Sequence, residues 1–133
     1  MMAETEMYRK GAEMRRRLAG DAWVERTART SYADPIMKQF IDFATEHVFG
    51  ALWTRPGLDL KTRALICVIS DAATHQLPEL NIHLRMALRQ GWKEEELTEA
   101  LLQLFGYLGA PAVREAMLTA TKTFAEVRAE ARG

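Results

Sequence analysis

Apolar residues recur along this chain at helical spacing, in segments separated by Gly and Pro. Residues 4–18 are rich in Glu, Arg, Met and Ala and carry one apolar stripe, Met7, Met14 and Leu18. Gly20 marks the stop, and Asp21 reads as the N-cap of a short turn through Trp23–Arg29. Asp34-Pro35 is a strong start signal, a capping side chain followed by Pro at the first helical position. The helix it opens holds Ile36, Phe40, Ile41, Ala44, Val48 and Phe49, with Gly50 loosening its end. Trp53-Thr54-Arg55-Pro56-Gly57 reads as a loop.

Asp59 can cap the next helix. Residues 61–74 are apolar around most of the circumference, which predicts a helix buried on several sides. Ile66–Ile69 alone would pass for a strand, but the Ala-rich flanks and the length of the segment favour a helix. Pro78 opens a further helix that ends at Gly91. Three acids follow Lys93 in the first turn of the next, favourable against the helix dipole. Its stripe runs Leu97, Leu101, Leu104, Phe105, Leu108 and stops at Gly109. Pro111 starts the last helix, with Val113, Met117, Ala120, Phe124 and Val127, and the charged tail from Arg128 is expected to fray. The pattern predicts an all-α chain of about six helices with short connections, forming one domain over residues 1–133.

Composition adds limits. The 133 residues suffice for a core without disulfide or metal staples. Lys plus Arg equals Asp plus Glu at 18 each, so the formal charge is zero, which argues against broad nucleic-acid binding. It leaves room for a few Arg residues that hold a small anion. Cys67 is the single cysteine and can form no internal disulfide, which suits a reducing cytoplasm. The opening Met-Met-Ala-Glu-Thr-Glu has no apolar signal core behind it, and no apolar run approaches the roughly 18–20 residues of a membrane span. The expectation is a cytoplasmic protein with no membrane partner. Several broad apolar faces on so small a chain also predict self-association.

Three histidines are candidates for chemistry. His83 shares the apolar face of its helix with Leu80, Leu84 and Ala87, so it points coreward. Glu79, one turn earlier on that face, can orient the imidazole and make it a better proton donor near neutral pH. The plain alternative is a hydrogen-bonded core histidine. His47, near a helix end, and His75, in a loop, read as solvated. Arg85 lies about 200° around the helix from His83 and should face another element or a subunit. Trp53, Arg55 and Tyr107 are further candidates, against core packing for Trp53 and a surface charge for Arg55. No metal signature, phosphate loop or nucleophile elbow is present. Cys67, inside the apolar helix, reads as an inert core thiol.

Several segments resemble those of a known family. Gly20-Asp21-Ala22-Trp23-Val24-Glu25-Arg26, Trp53-Thr54-Arg55-Pro56-Gly57-Leu58, the His83-Leu84-Arg85 helix, Leu101-Leu102-Gln103 and Tyr107-Leu108-Gly109-Ala110-Pro111-Ala112 are similar, in that order, to stretches of 4-carboxymuconolactone decarboxylases. The match runs from about residue 8 to residue 127. The resemblance implies the all-α alkylhydroperoxidase-like fold, a homo-oligomer (hexamer or trimer), no cofactor and no metal. It implies decarboxylation of γ-carboxymuconolactone, a small anionic lactone, to the enol-lactone of β-ketoadipate in the breakdown of aromatic compounds. On that footing His83 donates a proton to carbon with Glu79 orienting it. Arg55 and Arg85 hold substrate carboxylates, and Trp53 and Tyr107 wall the pocket. The alternatives are a related reaction on another small carboxylated or lactone compound, and a non-catalytic oligomeric binding module.

The thiol peroxidases of the same superfamily carry Cys-x-x-Cys with a His four residues on. Aligning that His with His83 puts Gln76 and Glu79 at the cysteine positions and Ala64 near the relay Glu, which argues against peroxidase chemistry. Trp23 where His is common, Ala51 where Glu follows the Gly, and Arg114 in place of Asn depart from the decarboxylase pattern and point to a changed substrate if those positions touch it.

Overall fold

A computed structural model describes residues 4–133; Met1-Met2-Ala3, part of the opening stretch read for a signal segment, lies outside the described residues. Among the described residues every regular element is helical. The chain divides into two compact units, one ending at Leu58 and one spanning Asp59–Gly133.

In the first unit, α1 (Glu6–Ala19) starts at Thr5, whose hydroxyl accepts from the Tyr8 amide at 3.0 Å, and stops at Gly20, where φ reaches 92°. Gly20 then serves as N-cap of α2 (Asp21–Arg29). Asp21 is therefore the first helical residue rather than the cap, and its carboxylate accepts from Arg16 at 3.3 Å instead. Asp34 and Pro35 do open α3 (Pro35–Ala44), with the Ile36 amide donating to the Asp34 carboxylate at 2.9 Å.

The helix does not simply end near Gly50. It widens into a π-helical segment, Thr45–Leu52, visible in the five-residue bond from the Trp53 amide to the Val48 carbonyl, 2.9 Å. This segment packs against α1. A Cβ on Gly11 would stand 1.7 Å from the Thr45 carbonyl oxygen and 2.8 Å from the Gly50 nitrogen, so the two backbones touch directly. Tyr8 spans the same crossing to Asp42 at 3.3 Å. Phe49 and Trp53 are buried and stack at 6.5 Å, while α3 itself buries no side chain and leaves Ile36 and Phe43 74% and 64% exposed.

In the second unit, α4 (Leu60–Ala73) is capped by Asp59, which accepts from the Thr62 amide at 2.7 Å. Its Ala64, Val68 and Ala72 are buried, whereas Ile66 is half exposed, so the helix is covered on fewer sides than its composition predicted. Three residues join it to α5 (Leu77–Arg89), which makes the pair a tight helical hairpin. The turn is held by the Gln76 amide on the Asp71 carbonyl, 2.9 Å, and by His75 at φ 59°. Leu80, Leu84 and Ala87 of α5 are fully buried.

α6 (Glu94–Gln103) follows, its N-terminus closed by Glu96 accepting from the Lys93 amide at 2.9 Å. The stripe read as one helix through Leu108 breaks at Leu104 into a separate turn, α7 (Phe105–Leu108). Gly106 within that turn is a poor helix residue, and Gly109 at φ 87° ends the turn. α8 (Ala110–Arg132) packs Val113, Ala116, Ala120 and Phe124 inward. Its charged end is helical through Arg132 rather than frayed. Arg128 pairs with Glu94 at 2.5 Å and Glu130 with Arg85 at 2.9 Å, which ties the last turns down. Splitting one expected helix and extending another into a π-helical segment accounts for more elements than the six the pattern predicted.

Candidate active site

His83 lies where its helix face placed it, beside buried Leu80 and Leu84, and its ring is mostly enclosed. The carboxylate at its side is not Glu79. Glu79 sits exposed in the first turn of α5, and the imidazole Nδ1 instead meets Asp71 Oδ2 on α4 at 2.5 Å. The hairpin brings the two together: Asp71 ends the α4 stripe Ala64, Val68, Asp71, and its own carbonyl anchors the turn into α5.

Asp71 is only 8% exposed. In the sequence Asp71 is masked by its surroundings, because the segment reads as apolar core. One signal was available, an acid on the buried stripe of an apolar helix. A carboxylate buried there requires a donor from a neighbouring element. The pairing also fixes the ring. A carboxylate accepts and does not donate, so the pairing places a hydrogen on Nδ1 and leaves Nε2 as the ring nitrogen that Asp71 does not engage.

The other expected site residues are placed less uniformly. Arg85 does turn to another element, donating to Glu130 at 2.9 Å and to Glu126 at 3.2 Å, both on α8. Its guanidinium thus carries two carboxylates of its own chain, which take the place expected of a substrate. Tyr107 stands on α7, 80% exposed, so within this chain its ring projects outward rather than walling a pocket. Trp53 belongs to the core of the first unit, against Phe49, and is not a wall there either. Arg55 is exposed in the loop of that unit. His47 is exposed and packs on Phe43, ring centroids 4.1 Å apart, and His75 is exposed in the α4–α5 turn.

A cavity of about 360 Å³ opens between the start of α5 and α8, lined in part by Asn81, Lys122, Thr123 and Glu126. Asn81 is about 200° around α5 from His83, so this cavity and the His83–Asp71 pair lie on opposite faces of one helix. Among the described residues no cluster of three or more His, Cys, Asp or Glu side chains is gathered as for a metal ion, and no helix is long and apolar enough to cross a membrane.

Cys67 lies one turn before Asp71 on α4. Burial, and then the neighbouring Asp71 charge, pushes its thiol up to about 11. Only a thiolate attacks an alkylating agent. Cys67 is therefore expected to react with iodoacetamide at pH 7 about 300-fold more slowly than a free cysteine, whose pKa is about 8.5. Its rate should climb steadily as the pH is raised toward 11. A mass-spectrometric time course showing free-thiol rates at pH 7 would contradict the burial argument.

The all-α scaffold agrees with the comparison to known proteins. The profile of the carboxymuconolactone decarboxylase family matches residues 38–122. The chain belongs to that family. A 4-carboxymuconolactone decarboxylase of Acinetobacter baylyi is 30% identical over 126 residues, covering 95% of this chain and 92% of the relative. A nitrosuccinic acid decarboxylase of Metarhizium robertsii is 33% identical over 117 residues, covering 88% of this chain and 80% of the relative. Family membership accounts for the all-α, alkylhydroperoxidase-like fold that the ordered motifs implied.

Proposed function

We propose that this carboxymuconolactone decarboxylase family member is a cofactor-free carboxy-lyase that releases CO₂ from γ-carboxymuconolactone, with His83 as the proton donor. The observation that carries the reading is the His83–Asp71 pair, in a chain whose relatives are named for decarboxylations. When the bond to the departing carboxylate breaks, its electron pair runs through the ring double bond into the lactone carbonyl. The resulting dienolate needs one proton on carbon. His83 supplies it from Nε2. Asp71 on Nδ1 holds the ring in orientation for the transfer. In this reading Asp71 takes the orienting role first expected of Glu79. Arg55, expected to hold a carboxylate, is proposed in that role because a planar guanidinium suits a carboxylate through paired hydrogen bonds.

A second substrate is favoured by the nitrosuccinic acid decarboxylase relative. Nitrosuccinic acid also bears a carboxylate beside an electron-accepting group, so its decarboxylation requires the same proton on carbon. Homo-oligomerisation, as a hexamer or trimer, is proposed on the exposed apolar side chains of Ile36, Phe40, Phe43 and Phe105.

The test is CO₂ release by the purified protein from each compound in turn. Turnover of γ-carboxymuconolactone supports the first reading, and turnover of nitrosuccinic acid alone replaces its substrate. Turnover of neither removes both.

A further inference from the structure

The cavity between α5 and α8 is built from polar side chains that meet across the two helices. Lys122, Thr123 and Glu126 share one face of α8, and Leu77, Pro78 and Asn81 oppose them from the start of α5. Thr98 and Thr121 spend their hydroxyl hydrogens on the carbonyl four residues back, at 2.8 and 3.0 Å. Thr123, only 1% exposed, instead donates across to Asn81 Oδ1 at 2.6 Å. That bond holds the amide oxygen and leaves the two Nδ2 hydrogens as donors on the cavity wall. Lys122 and Glu126 stand one turn apart on α8, a spacing at which they could pair and close the groove. Arg85 draws Glu126 the other way, to 3.2 Å, and among the described residues Lys122 and Glu126 form no ion pair. The single charge of Arg85 is divided between Glu126 and Glu130, so the Glu126 end of the groove stays acidic while the Lys122 end is basic.

We infer that this groove is a binding site for a small zwitterion, a free α-amino acid with a short apolar side chain. Its carboxylate accepts from Asn81 Nδ2 and pairs with the Lys122 ammonium. Its own ammonium meets Glu126, and its side chain lies on Leu77 and Pro78. A cavity of about 360 Å³ admits a molecule of that size. A carboxylate or an amine alone satisfies one end of the groove and leaves the other charge facing it. A phosphate or a dicarboxylate brings a second negative charge toward Glu126. The groove lies on the face of α5 opposite His83, so its occupancy does not depend on the decarboxylation chemistry.

The experiment is a saturation-transfer NMR titration of the purified protein with three probes. They are L-leucine, 4-methylpentanoate, which lacks the ammonium, and 3-methylbutylamine, which lacks the carboxylate. Leucine is expected to saturate, and each analogue to bind at least about tenfold more weakly, the cost of losing one charge-assisted contact. Asn81→Asp keeps an oxygen for the Thr123 hydroxyl and sets a negative oxygen where the Nδ2 donor stood. Leucine binding should fall at least about tenfold in it, with the circular dichroism spectrum unchanged. Lys122→Gln, at an exposed position, is expected to weaken leucine and 4-methylpentanoate and to leave 3-methylbutylamine unaffected. A loss of structure would weaken all three probes alike. The proposal is overturned if leucine shows no saturation up to about 20 mM. It is also overturned if 4-methylpentanoate binds as tightly as leucine, or if leucine binding is unchanged in both variants.

Discussion

Replacing His83 by glutamine is expected to lower kcat for CO₂ release by about 100- to 10,000-fold, the contribution typical of a positioned general acid. Glutamine is the informative substitution. Alanine at this position would leave the Asp71 carboxylate, 8% exposed, without its imidazole partner. Stranding one member of a buried pair costs on the order of 3 kcal/mol, so lost activity could follow from lost structure. A glutamine amide can still donate to Asp71, yet it transfers no proton near neutral pH. Circular dichroism and thermal midpoint should therefore stay close to those of the parent while turnover collapses. KM should change less than kcat, because the proton is delivered in the transition state. Turnover within a few-fold of the parent in a folded His83→Gln protein would remove His83 from the chemistry.

What could be read from the chain follows from how local each signal is. Asp34-Pro35 and Asp59 open their helices as read, because a cap is set by residues within three positions of it. Gly20, Gly91 and Gly109 adopt positive φ where stops were expected, for the same reason. The inward face of α5, and with it His83, was legible from the spacing of Leu80, Leu84 and Ala87. Asp71 was not, since its role depends on which residue the hairpin sets opposite it, twelve positions away. Arg85 was expected to reach another element and does, but nothing local to α5 announced that Glu126 and Glu130 of α8 would meet it there. The π-helical segment at Thr45–Leu52 was likewise hidden. The glycine it packs against lies more than thirty residues earlier.

That glycine gives the second large effect. Gly11→Ala is expected to destabilise the protein by about 3 kcal/mol, the upper range for overpacking a core position. Helix propensity alone predicts the opposite, a gain of about 1 kcal/mol from replacing Gly by Ala inside a helix. The contact decides the sign. A Cβ at Gly11 would lie 1.7 Å from the Thr45 carbonyl oxygen and 2.8 Å from the Gly50 nitrogen, both backbone atoms that no rotamer change can move aside. The crossing is reciprocal, because a Cβ at Gly50 would lie 2.3 Å from the Met7 carbonyl oxygen. Separating α1 from the π-helical segment to make room would also stretch the 3.3 Å bond between Tyr8 and Asp42. For a chain of this length about 3 kcal/mol corresponds to a fall of roughly 10 °C in thermal midpoint. Gly57→Ala is the control, since a Cβ there meets nothing within 4 Å, and its midpoint should stay within a few degrees of the parent. A Gly11→Ala protein that melts at or above the parent temperature would show that α1 and the π-helical segment do not pack backbone to backbone.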